Sequence, residues 1–84
     1  MPVQELQILD RDHLKIGVKQ SSKAITEGHA LKVFVARNAE QHVTRHIIEL
    51  AESMNVDVEF VESMHALGQA CRIDVGAATA VITK

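Results

Sequence analysis

A cationic turn at residues 17–23 is the stretch of this sequence best suited to hold an anion. It reads Gly-Val-Lys-Gln-Ser-Ser-Lys, and it lies between a short β-prone segment and a helix-like one. The first turn of a helix presents N–H groups without partners, and the helix dipole adds partial positive charge there. Lys19 and Lys23 are four residues apart and share a helix face, with Gln20 beside them. Such a face can meet a phosphate and a base edge together, but on these seven residues alone an ordinary polar helix start with two solvated lysines is the more common explanation, because single short motifs often match by chance.

Two further loops lie where a ligand can bind. Residues 37–40 follow a strand-like segment and lead into a helix, and residues 73–78 connect a helix-like segment to the last strand-like one. Open α/β sheets tend to bind ligands at such junctions. The second loop is unusually apolar for a surface segment. It either packs against the domain or forms an apolar shelf for a flat group.

Length and composition predict one small domain with an aliphatic core. The chain has 84 residues, of which 46% are hydrophobic and 24% are charged, so we expect residues 1–84 to form a single domain. Phe34 and Phe60 are the aromatic residues, with no tryptophan or tyrosine. This composition argues against the aromatic base-stacking platform that many single-strand RNA binders use.

Charge and cysteine content narrow the possible partners and compartment. The formal net charge of −2 argues against non-specific nucleic-acid binding, but it permits a local basic patch. A lone cysteine, Cys71, cannot form an internal disulfide, which favours a reducing compartment. Residues 1–5 lack the features of a signal peptide, and no apolar run approaches the roughly 20 residues of a membrane span. We therefore expect a soluble cytoplasmic protein.

Strand-like and helix-like segments alternate after Leu14, which predicts an α/β fold with helices on both faces of a parallel or mixed sheet. The predicted strands are residues 14–17, 31–36, 56–61 and 77–83. The first two predicted helices are residues 2–10 and 19–27, and Gly28 ends the second of them.

The longest predicted helix lies between Asn38 and Asn55. Asn38 suits its N-cap, Gln41 completes a capping box, and Asn55 suits its end. Its inward stripe is predicted to consist of Val43, Ile47, Leu50, Ala51 and Met54. Ser63 is predicted to cap the last helix, in which Cys71 is an inert core residue.

Four motifs follow one another along the chain. They are Gly17-x-Lys19-Gln20-x-x-Lys23-Ala24, then Val33-x-Val35-Ala36-Arg37-Asn38-Ala39-Glu40, then Val61-Glu62-Ser63-Met64-x-x-Leu67-Gly68-x-Ala70-Cys71, and finally Ile73-x-Val75-Gly76-Ala77-Ala78. Together they resemble the L7Ae family of ribosomal proteins, in particular its small bacterial members of the YbxF type, over residues 14–82. The combination Leu-Gly-x-Ala-Cys followed by Gly-Ala-Ala is more specific than any single motif. The resemblance implies a three-layer α–β–α sandwich with a four-stranded mixed sheet.

The resemblance also implies a function and a site. The family binds kink-turn RNA, which is a sharp bend with tandem sheared G·A pairs and a flipped-out nucleotide. By resemblance, Lys19 and Gln20 would reach guanine edges, Lys23 a phosphate or guanine O6, and Glu40 the flipped-out base. The full set of residues implied for RNA binding is Gly17, Val18, Lys19, Gln20, Lys23, Arg37, Asn38, Glu40, Arg72, Ile73, Asp74, Val75, Gly76 and Ala77. The RNA partner would be ribosomal RNA, a riboswitch or another structured RNA.

The sequence departs from many family members at two places. Asn-Glu is common where this chain has Lys19-Gln20, but the bacterial subset favours lysine first, so we expect binding with altered contacts. Glycine is common at the position of Arg72. Glycine implies a positive φ, which would strain an arginine; alternatively, Arg72 adds a phosphate contact.

The residues give less support to other functions. Serines, histidines and a cysteine are present, but no pattern arranges them as nucleophile, base and orienting group, so we expect no catalysis, cofactor or small-molecule substrate. His42 and His46 have the spacing of metal ligands, but no third ligand adjoins them, so a solvated helix face is expected. A protein-interaction module on the same fold is the main alternative. The cationic turn favours RNA binding over this alternative, because an adaptor has no need of it. The resemblance then implies a non-catalytic, cytoplasmic protein that recognises and stabilises kink-turn RNA, with association with the ribosome left open and no membrane partner. We expect a monomer because the domain is so small.

Overall fold

The structure is a computed structural model that describes residues 13–84. Within this part of the chain, strands and helices alternate as predicted. The elements are β1 (Leu14–Ile16), α1 (Val18–Thr26), β2 (Ala30–Ala36), α2 (Gln41–Ser53), β3 (Asp57–Val61), α3 (Met64–Ala70) and β4 (Thr79–Thr83). The predicted helix at residues 2–10 lies outside the described residues.

β4 is an inner strand of the sheet although it is the last strand along the chain. The strand order is β1-β4-β2-β3. β4 pairs antiparallel with both β1 and β2, and β3 pairs parallel with β2 at one edge. β1, β2 and β3 therefore run in one direction, and they end on the side of the sheet where β4 begins. The sheet is therefore mixed, in agreement with the sequence-based expectation.

Helices cover both faces of the sheet and make three layers. Alternate residues of a strand point to opposite faces. Val33 and Val35 of β2 pack with residues of α1 and α2, whereas Phe34 and Ala36 pack with residues of α3. Because β2 is buried on both faces, its sequence is a nearly continuous apolar run. The α–β–α sandwich implied by the resemblance is confirmed.

The ends of α2 differ from the prediction. Glu40, not Asn38, is the N-cap, and no side chain caps the first turn. Asn38 Oδ1 instead accepts a hydrogen bond from the Met64 N–H at 2.8 Å, so the predicted capping box with Gln41 is wrong. Met54 is 43% exposed because it follows the last helical residue, so its place in the predicted inward stripe is also wrong. The buried residues of α2 are Thr44, Ile47 and Ala51.

The helices of residues 13–84 all end in a Schellman motif. The residue after each C-cap has a positive φ, which is 77° at Gly28, 58° at Asn55 and 62° at Arg72. Its N–H donates to the carbonyl three residues earlier, and the following N–H donates to the carbonyl five residues earlier. Gly28 and Asn55 were predicted to end helices, and both predictions are confirmed. Arg72 takes the same position with a Cβ atom, and it therefore bears the strain that glycine avoids.

Gly68 allows α3 to lie directly against the loop that precedes β4. A Cβ added to Gly68 would overlap the Val75 carbonyl oxygen and would lie 3.1 Å from the Gly76 Cα. Both are backbone atoms, so they cannot rotate away as a flexible side chain would. Glycine within a helix is less favourable than alanine by about 1 kcal/mol. This close backbone approach explains why glycine is nevertheless present.

Gly68→Ala is expected to destabilise the domain by about 1–3 kcal/mol, because the added methyl group forces α3 and the loop apart. The Tm of a domain of this size changes by roughly 4–8 °C for each kcal/mol. Thermal unfolding followed by circular dichroism measures the difference. Gln69→Ala is the control, because Gln69 is an exposed residue of the same helix and its loss should change stability by less than about 0.5 kcal/mol. Equal Tm values for Gly68→Ala and the wild type would contradict the close packing.

Candidate functional site

The three segments predicted to form the site come together at one end of the sheet. The cationic turn follows β1, residues 37–40 follow β2, and residues 72–77 lie just before β4. Because β1 and β2 end where β4 begins, the segments are neighbours in space. Their convergence is a consequence of the strand order and places a continuous surface at this end of the domain.

Backbone hydrogen bonds fix two of these segments to the start of β4. The Gly17 N–H donates to the Thr79 carbonyl at 2.9 Å, and the Ala36 N–H donates to the Ala78 carbonyl at 2.9 Å. Gly17 has φ 98° and ψ 162°, a conformation that side-chain-bearing residues rarely adopt. Glycine thus lets the chain leave β1 and enter α1 while keeping its bond to β4.

A buried hydroxyl pair adds a side-chain connection at the same place. Ser21 Oγ lies 2.9 Å from Thr79 Oγ1, and both residues are fully buried. The pair joins the first turns of α1 to the first residue of β4. An interior hydroxyl without a partner is unfavourable by about 1–3 kcal/mol. The pair therefore holds α1 in one position relative to the sheet.

The start of α1 presents polar and basic side chains to solvent. Lys19, Gln20 and Lys23 are exposed, whereas Ser21 and Ala24 face the core. No side chain caps this helix, so its first N–H groups add to the positive potential of the lysines. This arrangement is suited to contact with an anion.

Residues 37–40 divide into structural and exposed positions. The Arg37 N–H donates to the Val61 carbonyl at 2.8 Å, and its guanidinium lies over the Phe60 ring at 5.1 Å from the centroid. The side-chain oxygen of Asn38 accepts a hydrogen bond from the first residue of α3, so Asn38 positions the loop. Glu40 is exposed, and its Oε1 lies 2.8 Å from His42 Nδ1. Glu40 is therefore the residue of this loop with an acidic group directed to solvent.

The loop before β4 is partly packed and partly exposed. Ile73 packs against the core, and the buried Ala77 donates its N–H to the Met64 carbonyl at 3.0 Å. Val75 is 69% exposed, and Asp74 and Gly76 beside it are also exposed. The two alternatives drawn from the sequence thus both apply, because the ends of the loop are packed and its middle presents an apolar side chain.

Met64, the first residue of α3, connects the two loops. Its N–H donates to Asn38 Oδ1, and its carbonyl accepts from the Ala77 N–H. α3 itself is held at its start by Ser63, whose Oγ accepts from the Ala66 N–H at 3.0 Å, as predicted. The relative position of the acidic loop and the apolar loop is therefore set by the N-terminus of α3.

Other reactive groups form no second site in the described residues. Cys71 is buried at the C-cap of α3. Within residues 13–84, no three His, Cys, Asp or Glu side chains are grouped as metal ligands would be. None of the helices in that range has the length and apolar character needed to cross a membrane.

Sequence reasoning missed Thr79 and the pairing of Arg37 with Phe60. Thr79 is 58 residues from Ser21 along the chain, so no local pattern connects them. Phe60 is an apolar residue of β3, but it is 46% exposed. Its contact with Arg37 depends on the parallel pairing of β3 with β2, in which Phe60 is the partner of Val35.

The chain is thus a small α–β–α sandwich domain whose loops gather at one end of a mixed sheet. It belongs to the ribosomal protein L7Ae/L30e/S12e/Gadd45 family, whose model matches residues 4–84. The resemblance seen in the sequence is therefore confirmed.

Similar proteins include two of nearly the same length. An RNA-binding protein of Geobacillus sp. (strain WCH70) is 40% identical over 77 residues, which cover 92% of this chain and 94% of that protein. The RNA-binding protein YbxF of Geobacillus stearothermophilus is 39% identical over 77 residues, with 92% and 94% coverage. Among solved structures, the Giardia lamblia 15.5-kD RNA-binding protein is similar with a TM-score of 0.82 and 29% identity, over 88% of this chain and 62% of that one.

Ser21→Ala and Thr79→Val are each expected to destabilise the domain by about 1–3 kcal/mol, because each leaves one buried hydroxyl without its partner. The double variant removes both hydroxyls, so its loss should be smaller than the sum of the single losses. Urea unfolding of the four proteins measures this double-mutant cycle. Strictly additive losses would show that the two hydroxyls do not stabilise one another.

Proposed function

We propose that this protein binds RNA through the surface formed by the cationic turn, residues 37–40 and residues 72–77. The observation that carries the proposal is the exposure of Lys19, Gln20 and Lys23 at an uncapped helix start. The buried hydroxyl pair of Ser21 holds that helix start in place. The names of the similar proteins, which are RNA-binding proteins, support the same function for this chain.

The polar and basic residues of the cationic turn have different tasks in this proposal. Lysines neutralise phosphates and position the protein, whereas hydrogen bonds to base edges carry specificity. Gln20 has both a donor and an acceptor and can read a base edge. Lys19 and Lys23 flank it on the same exposed surface, and each can contact a phosphate or a guanine O6.

The two loops provide a place for an unpaired nucleotide. Val75 offers an exposed apolar side chain, and Glu40 offers an exposed carboxylate that can accept hydrogen bonds from a base. Single-stranded and bulged nucleotides are recognised through such apolar contacts and through their hydrogen-bonding edges. Asn38, Ile73 and Ala77 support these contacts by holding the loops.

The RNA element that fits this surface best is a kink-turn. The major groove of regular A-form RNA is too narrow for protein side chains, so a helix N-terminus enters only where the RNA is bent or bulged. A kink with sheared G·A pairs opens the groove, and its flipped-out nucleotide would meet the loops. The domain acts as a monomer without catalysis, and it stabilises the bent RNA because it binds that form preferentially.

Titration against a short kink-turn RNA, at fixed salt and Mg²⁺, is expected to show tight binding. A matched RNA with one G·A pair replaced should bind at least about fivefold more weakly, because mismatched contacts typically lose roughly 1–3 kcal/mol. Fluorescence anisotropy measures both affinities. Equal weak binding to both RNAs would exclude the RNA function and would favour a protein partner.

Lys23→Glu is expected to weaken binding to the kink-turn RNA by roughly 10- to 100-fold, because it removes one charged contact and adds a repulsive one. Arg45→Glu is the matched control, since it changes the net charge equally on an exposed position of α2 outside the proposed surface. Isothermal titration calorimetry with both variants tests the placement. If both variants lost affinity to the same extent, net charge rather than the position of Lys23 would be responsible.

Arg72→Gly is expected to distinguish the backbone strain at residue 72 from any contribution of the Arg72 side chain to RNA binding. Glycine relieves the positive φ of 62°, so the free energy of unfolding should rise by about 1 kcal/mol. If Arg72 also contacts a phosphate, RNA affinity should fall at the same time, and the salt dependence should become shallower by about one unit of slope. Arg72→Lys is the control, because it retains both the charge and the strain. Unchanged affinity in Arg72→Gly would exclude the phosphate contact.

A further inference from the structure

A polar groove lies beside the cationic turn, between α1, β1 and the end of β4. Its volume is about 360 Å³, and the residues that define its chemistry are Lys15, Gln20, Lys23, Glu27, His29 and Lys84. We call it the lysine groove. Lys15 and Lys84 were not among the residues predicted to bind RNA.

The lysine groove is cationic. Lys15, Lys23 and Lys84 are all exposed. Glu27 is the acidic residue in its lining, and its Oε1 lies 3.8 Å from His29 Nδ1. In the 84-residue chain Lys84 also carries an α-carboxylate, so three ammonium groups face two carboxylates. The lining keeps a net positive charge, which attracts a polyanion.

The fold fixes the positions of the two additional lysines. Leu14 and Ile16 of β1 pack on the α3 side of the sheet, so Lys15 between them points to the α1 side. The Lys84 N–H donates to the His29 carbonyl at 2.9 Å, and its carbonyl lies 3.0 Å from His13 Nδ1. The backbone at both lysines is therefore held by neighbouring strands and loops.

The groove is continuous with the proposed RNA surface. Gln20 and Lys23 belong to both, since they lie on the exposed side of α1 and also line the groove. Along α1 the groove extends from Gln20 to Glu27, a distance of about 10 Å at 1.5 Å per residue. A nucleic-acid backbone that contacts Lys23 can therefore continue along the groove and contact Lys15 and Lys84 as well.

The opposite edge of the sheet has the opposite charge. Exposed acidic residues gather at the end of α2 and along β3, and they are Glu49, Glu52, Asp57 and Glu62. A polyanion that is bound at the cationic turn is therefore repelled from the β3 edge and attracted to the β1 edge. The charge distribution gives the RNA one favourable direction in which to continue.

We propose that the lysine groove binds the phosphate backbone of the RNA stem that adjoins the kink, through Lys15 and Lys84 together with Lys23. This contact presupposes the RNA binding proposed above. It is a backbone contact without sequence preference, and it increases affinity in proportion to the number of phosphates that the lysines neutralise.

The test uses the double variant Lys15→Gln/Lys84→Gln and a long-stemmed kink-turn RNA, with affinity measured over a range of salt concentrations. Each phosphate contact that is lost makes the slope of log affinity against log salt shallower by roughly 0.7–0.9. The double variant should therefore show a slope shallower by about 1–2 and an affinity lower by about tenfold at low salt. Thermal unfolding confirms that the variant is folded.

Arg45→Glu is the matched control, because it lowers the net charge by the same two units at an exposed position of α2, outside the groove. Its slope should remain close to that of the wild type. A second arm repeats the titration with a kink-turn RNA whose stems are shortened to a few base pairs. The difference between the wild type and Lys15→Gln/Lys84→Gln should disappear there, since no backbone remains for the groove.

Four outcomes would overturn the assignment. An unchanged slope in Lys15→Gln/Lys84→Gln, with tight wild-type binding, excludes the groove contact and leaves the kink-turn site intact. Equal losses in this variant and in Arg45→Glu, or a loss that persists on the short RNA, show that the lysines act only through net charge. Failure of the wild type to bind any kink-turn RNA removes the proposed function itself, and the groove contact with it.

Discussion

The first residues of β4 are the constraint on which the site depends. β4 is an inner strand, so its start lies between the ends of β1 and β2. The carbonyl groups of Thr79 and Ala78 accept hydrogen bonds from Gly17 and Ala36, and each of these donors begins or precedes a site segment. The hydroxyl pair with Ser21 makes the connection specific to one orientation of α1, because neither hydroxyl finds water in the interior. The positions of the exposed side chains of α1 are therefore set by contacts with β4, which is distant from α1 in sequence.

A second connection sets the loops relative to one another. The Met64 N–H donates a hydrogen bond to Asn38, and the Met64 carbonyl accepts one from the Ala77 N–H. One residue at the start of α3 therefore joins the loop after β2 to the loop before β4. Gly68 brings the rest of α3 against the same loop by direct backbone contact. With its ends held in this way, the loop presents Val75 to solvent even though apolar residues on both sides of it are packed. An exposed apolar side chain in a fixed loop loses little conformational entropy when a flat group binds against it.

Local patterns predicted the features that depend on local physics. Gly28 and Asn55 end helices because they tolerate a positive φ, and Ser63 caps α3 because its hydroxyl reaches a free N–H. Predictions from local sequence patterns were wrong where a residue distant in sequence forms the hydrogen bond that decides the local structure. The side chain of Asn38 is suited to an N-cap, but its Oδ1 accepts a hydrogen bond from the N–H of Met64, which is 26 residues away in sequence. Helix α2 therefore begins two residues later, with Glu40 as its N-cap. The β4 contacts of the site have the same origin, since the position of β4 between β1 and β2 cannot be read from periodicity. The α/β class followed from the alternation of strand-like and helix-like segments, whereas the four-stranded sandwich and the set of site residues followed from the resemblance that the combined motifs carry.

The distribution of charge explains how a chain with a net charge of −2 can serve as an RNA-binding protein. Attraction to phosphates is sequence-independent, so a uniformly basic surface binds any nucleic acid. In this domain the exposed lysines around α1 and β1 are opposed by acidic residues at the β3 edge, and only a limited surface attracts RNA. The few contacts available there suffice only if the RNA already presents its phosphates and base edges in matching positions. A bent RNA element meets that requirement and a regular duplex does not, because the major groove of the duplex excludes the helix N-terminus. In the proposed function, the small number of exposed lysines therefore increases the selectivity of the domain for RNA shape.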